Sequence, residues 1–437
     1  MRILFVLPDL PHPPFTGAHA RPLTLMRAAA RHHEIAAVGA APDGADLDVV
    51  EGLCADVRVA PEIGATPSGR GLVSPVPLVS RGRSLAVAGL VQELVDEWKP
   101  DAMVTETLYA ANYRDDAVPL IVDLPEIPSG LCESAAAAHP LRYLAANLQA
   151  ATSRRYERRL LDDAVPVTIN DGDRERLANL GVNAYTIPLA FDLPPEDALH
   201  DRASRARHDE AVRLLFIGSF VHESNRDAAQ FLVRRLAPEL RGERVPFAMV
   251  IAGLRAPSWL RKAGGAGVTV ISDAPDLEPL YRSADLVLAP LPHGGGTKNK
   301  TLEAMAWGLP VIGTTQAFAG LPQLDGKAFV CDPLDPLVFA HRIRALRDDP
   351  ELRLRLGAAA RDHVAGAHAP ELAAARAVAL FDAVAAGGGV AEAEALARAG
   401  LEDARPIEGQ QSVARQQSVA GQQSVAGQQS VEGQSSA

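Results

Sequence analysis

LAPLPHGGGTKNKTLEAMAWGLPVIGT, residues 288–314, decides the reading of this chain. A short apolar run ends in three consecutive glycines, Gly294 to Gly296. Backbone N–H groups there can approach an anion without obstruction by side chains. A helix expected from about Thr301 would aim its positive end at the same place. Lys298 and Lys300 add formal charge, and they are two of only five lysines in the chain (Lys99, Lys262, Lys298, Lys300 and Lys327). N–H donors, a dipole and an ammonium together suit a diphosphate. Glu303, in the first turn of the helix, would repel phosphate but can accept hydrogen bonds from two vicinal hydroxyls. The plainer alternative is a glycine turn with a surface lysine pair and a carboxylate that only supports the helix start.

Outward from this stretch the chain reads as alternating strands and helices. RLLFIGSF (213–220), FAMVIAGL (247–254), VTVIS (268–272), DLVLAPL (285–291), LPVIGT (309–314) and AFVCD (328–332) are short apolar runs separated by helical stretches. The first half repeats the pattern with ILFVL (3–7), IAAVGAA (35–41), DAMVTE (101–106), VPLIVDLPE (118–126) and VPVTIN (165–170). Continuous apolar runs of this length suit strands buried on both faces of a parallel sheet. The expected fold class is α/β, with two doubly wound Rossmann-like domains in tandem. The expected divisions are an N-terminal domain over 1–195, a charged linker over 196–211 and a second domain over 212–370. A helix over 371–386 and a low-complexity tail over 387–437 follow. Such sheets bind ligands at the carboxyl ends of their strands, so two facing domains make one cleft.

The formal net charge of −11 argues against non-specific nucleic-acid binding. The arginine-over-lysine bias fits a GC-rich coding sequence. Three scattered cysteines, Cys54, Cys132 and Cys331, offer neither a disulfide framework nor a zinc site and fit a reducing cytoplasm. MRILFVLPDLP reads as a buried first strand rather than a signal peptide, and no stretch has the length of a membrane span. Peripheral membrane contact and oligomeric state stay open. From Gln410 the chain repeats QQSVAR, QQSVAG, QQSVAG, QQSVEG, hexapeptides with one Val each. They bury too little apolar surface to offset the entropy of ordering, and disorder is expected.

GGGTKNKTLEAMAWGLPVIGT resembles the signature of the family-4 (group 1) glycosyltransferases of the GT-B fold, usually E-G-F-G-x-x-x-x-E-A-M-A-x-G-x-P-V-V. FIGSFVHESNRDAAQFL (216–232), SDAPDLEPLYRSADLVLAP (272–290) and the opening ILFVLPDLPHPPFTGAHAR are also similar to that family. The likeness covers most of residues 1–385. It implies transfer of a sugar from a nucleotide diphosphate sugar to an acceptor hydroxyl or amine. Retention of anomeric configuration, a hexosyl donor and no metal are implied with it, the nucleotide sugar being a co-substrate rather than a cofactor. The ribose-binding Glu of the pattern falls on Glu303. The diphosphate-binding backbone falls on Gly295, Gly296, Thr297, Lys298, Asn299 and Lys300, continuing into Thr301 and Leu302. Gly17, Gly218, Ser219 and Asn225 would join the donor site. The helix over 371–386 would cross back to the first domain.

Three departures are evident. The family's first Glu falls on Gly295. Its Arg-x5-Lys pair falls on the uncharged Ser219 and Asn225. A subgroup with G-x-G-x-K-x-K-x-L-E-A is similar to the pattern found here, and Lys298 or Lys300 is then expected to supply the missing cation, with Lys298 as the leading catalytic candidate. The family's mid-domain His is missing, whereas Asp123, Glu126 and Ser129 resemble a D-x-x-D-x-x-S pattern of the subgroup. Asp123 and Glu126 are thus catalytic candidates, with Glu106, Arg21 and Ser129 on the acceptor side. Loop carboxylates that cap the next turn are the alternative.

DGD (171–173) opens a helix and reads as a cap rather than a metal-binding D-x-D. His12, His19, His32 and His33 show no ligand spacing, and no metal site is expected. His19, His222 and His293 fall near the expected cleft. A sugar-nucleotide epimerase of the same fold and a non-catalytic homologue acting as a partner protein are the rival readings.

Overall fold

The computed structural model describes residues 1–13, 17–61, 84–138, 143–196, 211–321, 329–330 and 334–403. Nearly all of the expected linker, and the hexapeptide repeats, lie outside these residues.

Two parallel sheets form the frame. The first has seven strands in the order β3-β2-β1-β4-β5-β6-β7. In chain order these are β1 (Arg2–Asp9), β2 (Glu34–Ala41), β3 (Asp56–Pro61), β4 (Ala102–Glu106), β5 (Leu120–Leu124), β6 (Ala164–Thr168) and β7 (Tyr185–Thr186). The second has six, ordered β10-β9-β8-β11-β12-β13. They are β8 (Val212–Ile217), β9 (Phe247–Gly253), β10 (Val268–Ser272), β11 (Leu286–Ala289), β12 (Val311–Gly313) and β13 (Phe329–Val330). The fold is α/β and doubly wound in both halves, as the sequence pattern implied. Ile3 to Val6 are fully buried, which is why that strand reads as an unbroken apolar run.

In each sheet the strand order reverses at the first strand. β1 pairs with β2 on one side and β4 on the other, and β8 does the same with β9 and β11. The crevice beyond the carboxyl ends of strands at such a reversal is where doubly wound sheets bind ligands.

The chain returns to the first half near its end. Phe191 N donates to His368 O at 2.9 Å, and His368 Nδ1 lies 2.9 Å from Leu189 O. The helix Pro370–Ala385 then packs Ala373, Ala377 and Phe381 into the core of Phe5, Met26 and Tyr185. Phe381 meets Phe5 edge-on at 6.2 Å between centroids. The sequence reading starts the low-complexity tail at 387, but Val390–Asp403 is a further helix. Ala393 and Ala397 are buried in the same core, and Arg376 Nη2 lies 3.5 Å from Glu394. Those two alanines supply the apolar stripe that the glutamine-rich repeats lack.

Candidate active site between the two sheets

The glycine run follows β11 directly and leads into the helix Asn299–Ala306. Gly296 has φ 61°, a left-handed conformation that favours glycine. Gly295 is needed for a different reason. A Cβ there would stand 2.7 Å from Leu131 Cδ2, because the loop presses against the first half of the molecule. Gly294 N donates to Ser134 Oγ at 2.9 Å, and Asn170 Nδ2 donates to Thr297 Oγ1 at 3.3 Å. Leu131 thus accounts for the departure at this position, where a longer side chain would collide across the cleft.

The two lysines have separate surroundings. Lys298 is the N-cap residue, and its ammonium folds back onto Gly295 O and, at 2.7 Å, Gly296 O. Burial lowers its pKa to about 8 against the opposing pull of Glu126 and Asp173. Lys300 donates to Asn225 Oδ1 and lies 4.8 Å from the centroid of the Phe216 ring. Burial lowers its pKa to about 7, with Lys298 adding to the shift and Glu303 resisting it. Asn225 Nδ2 is fixed to Ser219 O at 2.7 Å. A Cβ on Gly218 would stand 2.8 Å from both Asn225 Cγ and Lys300 Nζ. Gly218, Asn225 and Lys300 therefore form one tight cradle at the carboxyl end of β8.

Glu303 lies one turn along the helix. Tyr281 Oη donates to its Oε2 at 2.7 Å, and the Tyr281 ring is stacked on Trp307 at 6.0 Å. Burial raises the Glu303 pKa, while Tyr281 and Lys300 oppose that shift. Glu303 and Asn299 line a cavity of about 40 Å³ shared with Ala20, Arg21, Thr24 and Leu189 to Phe191. Thr301 and Leu302 can contribute backbone groups only. Both are buried, and Thr301 Oγ1 donates to Ala317 O at 2.8 Å, so neither side chain faces the cleft.

The acceptor-side candidates divide. Arg21 and Asp123 form a buried ion pair, with Nη2 to Oδ1 at 2.7 Å and Nε to Oδ2 at 3.1 Å. Arg21 Nη1 also donates to Ile187 O at 2.9 Å. Asp123 is therefore a partner that positions Arg21. Ser129 is fully buried and its N–H donates to Glu157 Oε1 at 2.6 Å. Glu126 remains at the cleft beside Lys298; burial raises its pKa and Lys298 opposes that. Glu106 ends β4, and burial with Asp123 raises its pKa to about 8. Gly17 opens the helix Gly17–Ala29 that carries Arg21.

His222 precedes the helix Glu223–Phe231, its pKa lowered by burial and by Lys300. His293 Nε2 lies 3.2 Å from Asp227 Oδ2. Asn170 Oδ1 accepts from Asp173 N at 2.8 Å, so DGD opens the helix Asp171–Ala178 that Asn170 caps. The fold brings Asp9, His12 and His19 together, each offering a ligand atom within 4.8 Å of the others. Sequence reading also missed Tyr281, although it stands in the quoted SDAPDLEPLYRSAD, and the docking residues Leu131, Ser134 and Asn170.

Residues 211–349 match the family model described as "Glycosyl transferases group 1". Over these residues the chain is similar to the group 1 glycosyl transferases. Among curated proteins, none matches in sequence. Among solved structures, the chain resembles sucrose-phosphate synthase from Thermosynechococcus elongatus, with a TM-score of 0.66 and 16% identity over 89% of this chain and 100% of that one. It also resembles HepE from Anabaena in complex with UDP-glucose, with a TM-score of 0.60 and 15% identity over 87% and 99%. WaaG, a glycosyltransferase involved in lipopolysaccharide biosynthesis, gives 0.57 and 17% over 85% and 98%. The fold of the chain is GT-B. Among the described residues no helix is long and apolar enough to cross a membrane.

Proposed function

We propose that this protein is a glycosyltransferase that moves a hexosyl unit from a nucleoside diphosphate sugar to an acceptor hydroxyl or amine, with retention of anomeric configuration and without a metal at the diphosphate. The observation that carries the reading is the cradle of Gly218, Asn225 and Lys300, set one helical turn from Glu303. A β-phosphate seated there meets a buried ammonium whose charge a diphosphate would restore. Glu303, already fixed by Tyr281, keeps an oxygen for the ribose hydroxyls. As the glycosidic bond to the β-phosphate breaks, negative charge grows where Lys300 and the backbone amides of the glycine loop stand. Preorganised donors of this kind contribute about 10²–10³ in rate each.

Asp123 is committed to Arg21, and Glu126 stands beside Lys298. That leaves the departing phosphate as the base for the acceptor proton, on the face the nucleotide leaves, and this supports retention. Contact between the glycine loop and the first domain would exclude water and limit hydrolysis.

UDP-glucose, bound by the HepE neighbour, is the first donor to test, beside GDP-, ADP-, dTDP- and CDP-sugars. Release of nucleoside diphosphate from one donor, lost in Lys300→Ala and Glu303→Ala, is the expected result. No release and no thermal shift with any nucleotide would overturn the reading.

A further inference from the structure

Asp9, His12 and His19 have no part in the donor reading, and their chemistry is of a different kind. They meet at the carboxyl end of β1, where the strand gives way to the loop before the helix Gly17–Ala29. His19 Nε2 lies 2.9 Å from Asp9 Oδ2. His12 Nδ1 lies 2.8 Å from Leu10 O. A carbonyl only accepts, so the proton sits on Nδ1 and the lone pair of His12 is on Nε2. Holding one ring nitrogen on a backbone carbonyl is how proteins orient a metal-ligating imidazole.

The spacing of the rings carries the argument further. The His12 and His19 centroids are 5.0 Å apart and the planes are tilted by 49°. With Zn–N of about 2.0–2.1 Å and a tetrahedral angle at the ion, two imidazoles on one ion hold their centroids roughly 5 Å apart. A simple Asp9–His19 ion pair would not call for His12. The His12 and His19 side chains are only 16% and 5% exposed, whereas Asp9 is 53% exposed. The carboxylate is thus the exposed member of the group.

We propose that Asp9, His12 and His19 bind a borderline divalent cation, zinc being the reference ion. Two imidazoles and one carboxylate suit zinc better than magnesium or calcium, which take oxygen ligands. Three protein ligands leave a fourth position for water, the ligand count of an open rather than a closed zinc site. Its place is separate from the diphosphate cradle, which belongs to the second sheet. The inference does not depend on the donor reading. The ion would tie the loop after β1 to the helix that presents Ala20, Arg21 and Thr24 to the cleft.

The test uses the full chain, stripped with EDTA and titrated with Zn²⁺ by calorimetry and with Co²⁺ by visible absorption. One equivalent of Zn²⁺ per chain and a tetrahedral Co²⁺ spectrum are expected, with no comparable uptake of Mg²⁺. His19→Ala and the near-isosteric Asp9→Asn should each weaken Zn²⁺ binding at least about tenfold, with circular dichroism unchanged. Asp382→Asn is the control, because Asp382 makes the other His–Asp contacts of this domain, 3.5 Å from His32 and 3.2 Å from His33. It should bind as the wild type does. No uptake by the folded wild type, uptake indifferent to Asp9→Asn, or uptake lost in Asp382→Asn would each overturn the proposal.

Discussion

Lys300 donates a hydrogen bond to Asn225 Oδ1 beneath Gly218, whereas Lys298, two residues earlier, turns its ammonium onto the carbonyls of its own glycine loop. Lys298 is the extended N-cap residue and Lys300 lies in the first turn of the helix, so the two side chains leave the backbone in different directions. The structure thereby separates two residues that the motif treats alike, and the proposed diphosphate contact rests on Lys300.

Lys300→Ala should weaken UDP binding by about 1.5–3 kcal/mol, the range for a hydrogen bond to a charged group. Lys298→Ala should cost clearly less in nucleotide affinity, since its ammonium serves the loop. Gly218→Ala, whose methyl would stand 2.8 Å from Lys300 Nζ, should lose UDP binding as Lys300→Ala does. Calorimetric titration of UDP into the three variants checks this. Equal losses at Lys298 and Lys300 would reject the distinction.

Nucleotide affinity should also depend on pH. Without ligand, burial holds Lys300 at about 7 and Lys298 at about 8. A diphosphate favours the charged ammonium and raises the pKa of the bound form. Affinity is then fullest below about pH 7 and falls as pH rises through the free-state values, with protons taken up on binding. UDP titrations from pH 6 to 9, in buffers of different ionisation enthalpy, read both effects. Lys300→Arg, which stays charged, should flatten the profile.

The parallel sheets were legible because strands buried on both faces write themselves as unbroken apolar runs such as Ile3 to Leu7 and Leu286 to Ala289. The glycine loop and Glu303 were legible because they are neighbours in sequence. Arg21 and Asp123 lie 102 residues apart, and no local pattern shows that they neutralise each other. Asp9, His12 and His19 share a site only once the strand end, the loop and the helix start are placed together. The collision that makes Gly295 a glycine belongs to Leu131 of the other domain, so the glycine read alone as a lost carboxylate.

Arg21→Ala should destabilise the protein strongly. The guanidinium and the Asp123 carboxylate are both buried, and removing one partner leaves an unpaired buried charge, at a cost of about 3–5 kcal/mol. Asp123→Asn, which keeps hydrogen-bonding capacity, should cost less. Urea denaturation of the first-domain transition reads the difference. A loss in Arg21→Ala below about 1 kcal/mol would place the Arg21 side chain outside what holds this sheet edge together.

Glu106 gives stability a pH dependence of opposite origin. Burial, reinforced by Asp123 and Asp9 and opposed by Arg21, raises its pKa from 4.5 to about 8. Between those values the folded chain holds a proton that the unfolded chain has released. Stability contributed by the protonated group is therefore lost progressively as pH rises through that window. Glu106→Gln keeps a neutral side chain of the same shape at every pH. Its melting temperature should match the wild type near pH 4.5 and exceed it increasingly toward pH 9. Glu126, Glu157 and Glu303 are also raised by burial, but they titrate in both proteins and cancel in the comparison. A constant difference across the range would show that Glu106 ionises normally where β4 meets the cleft.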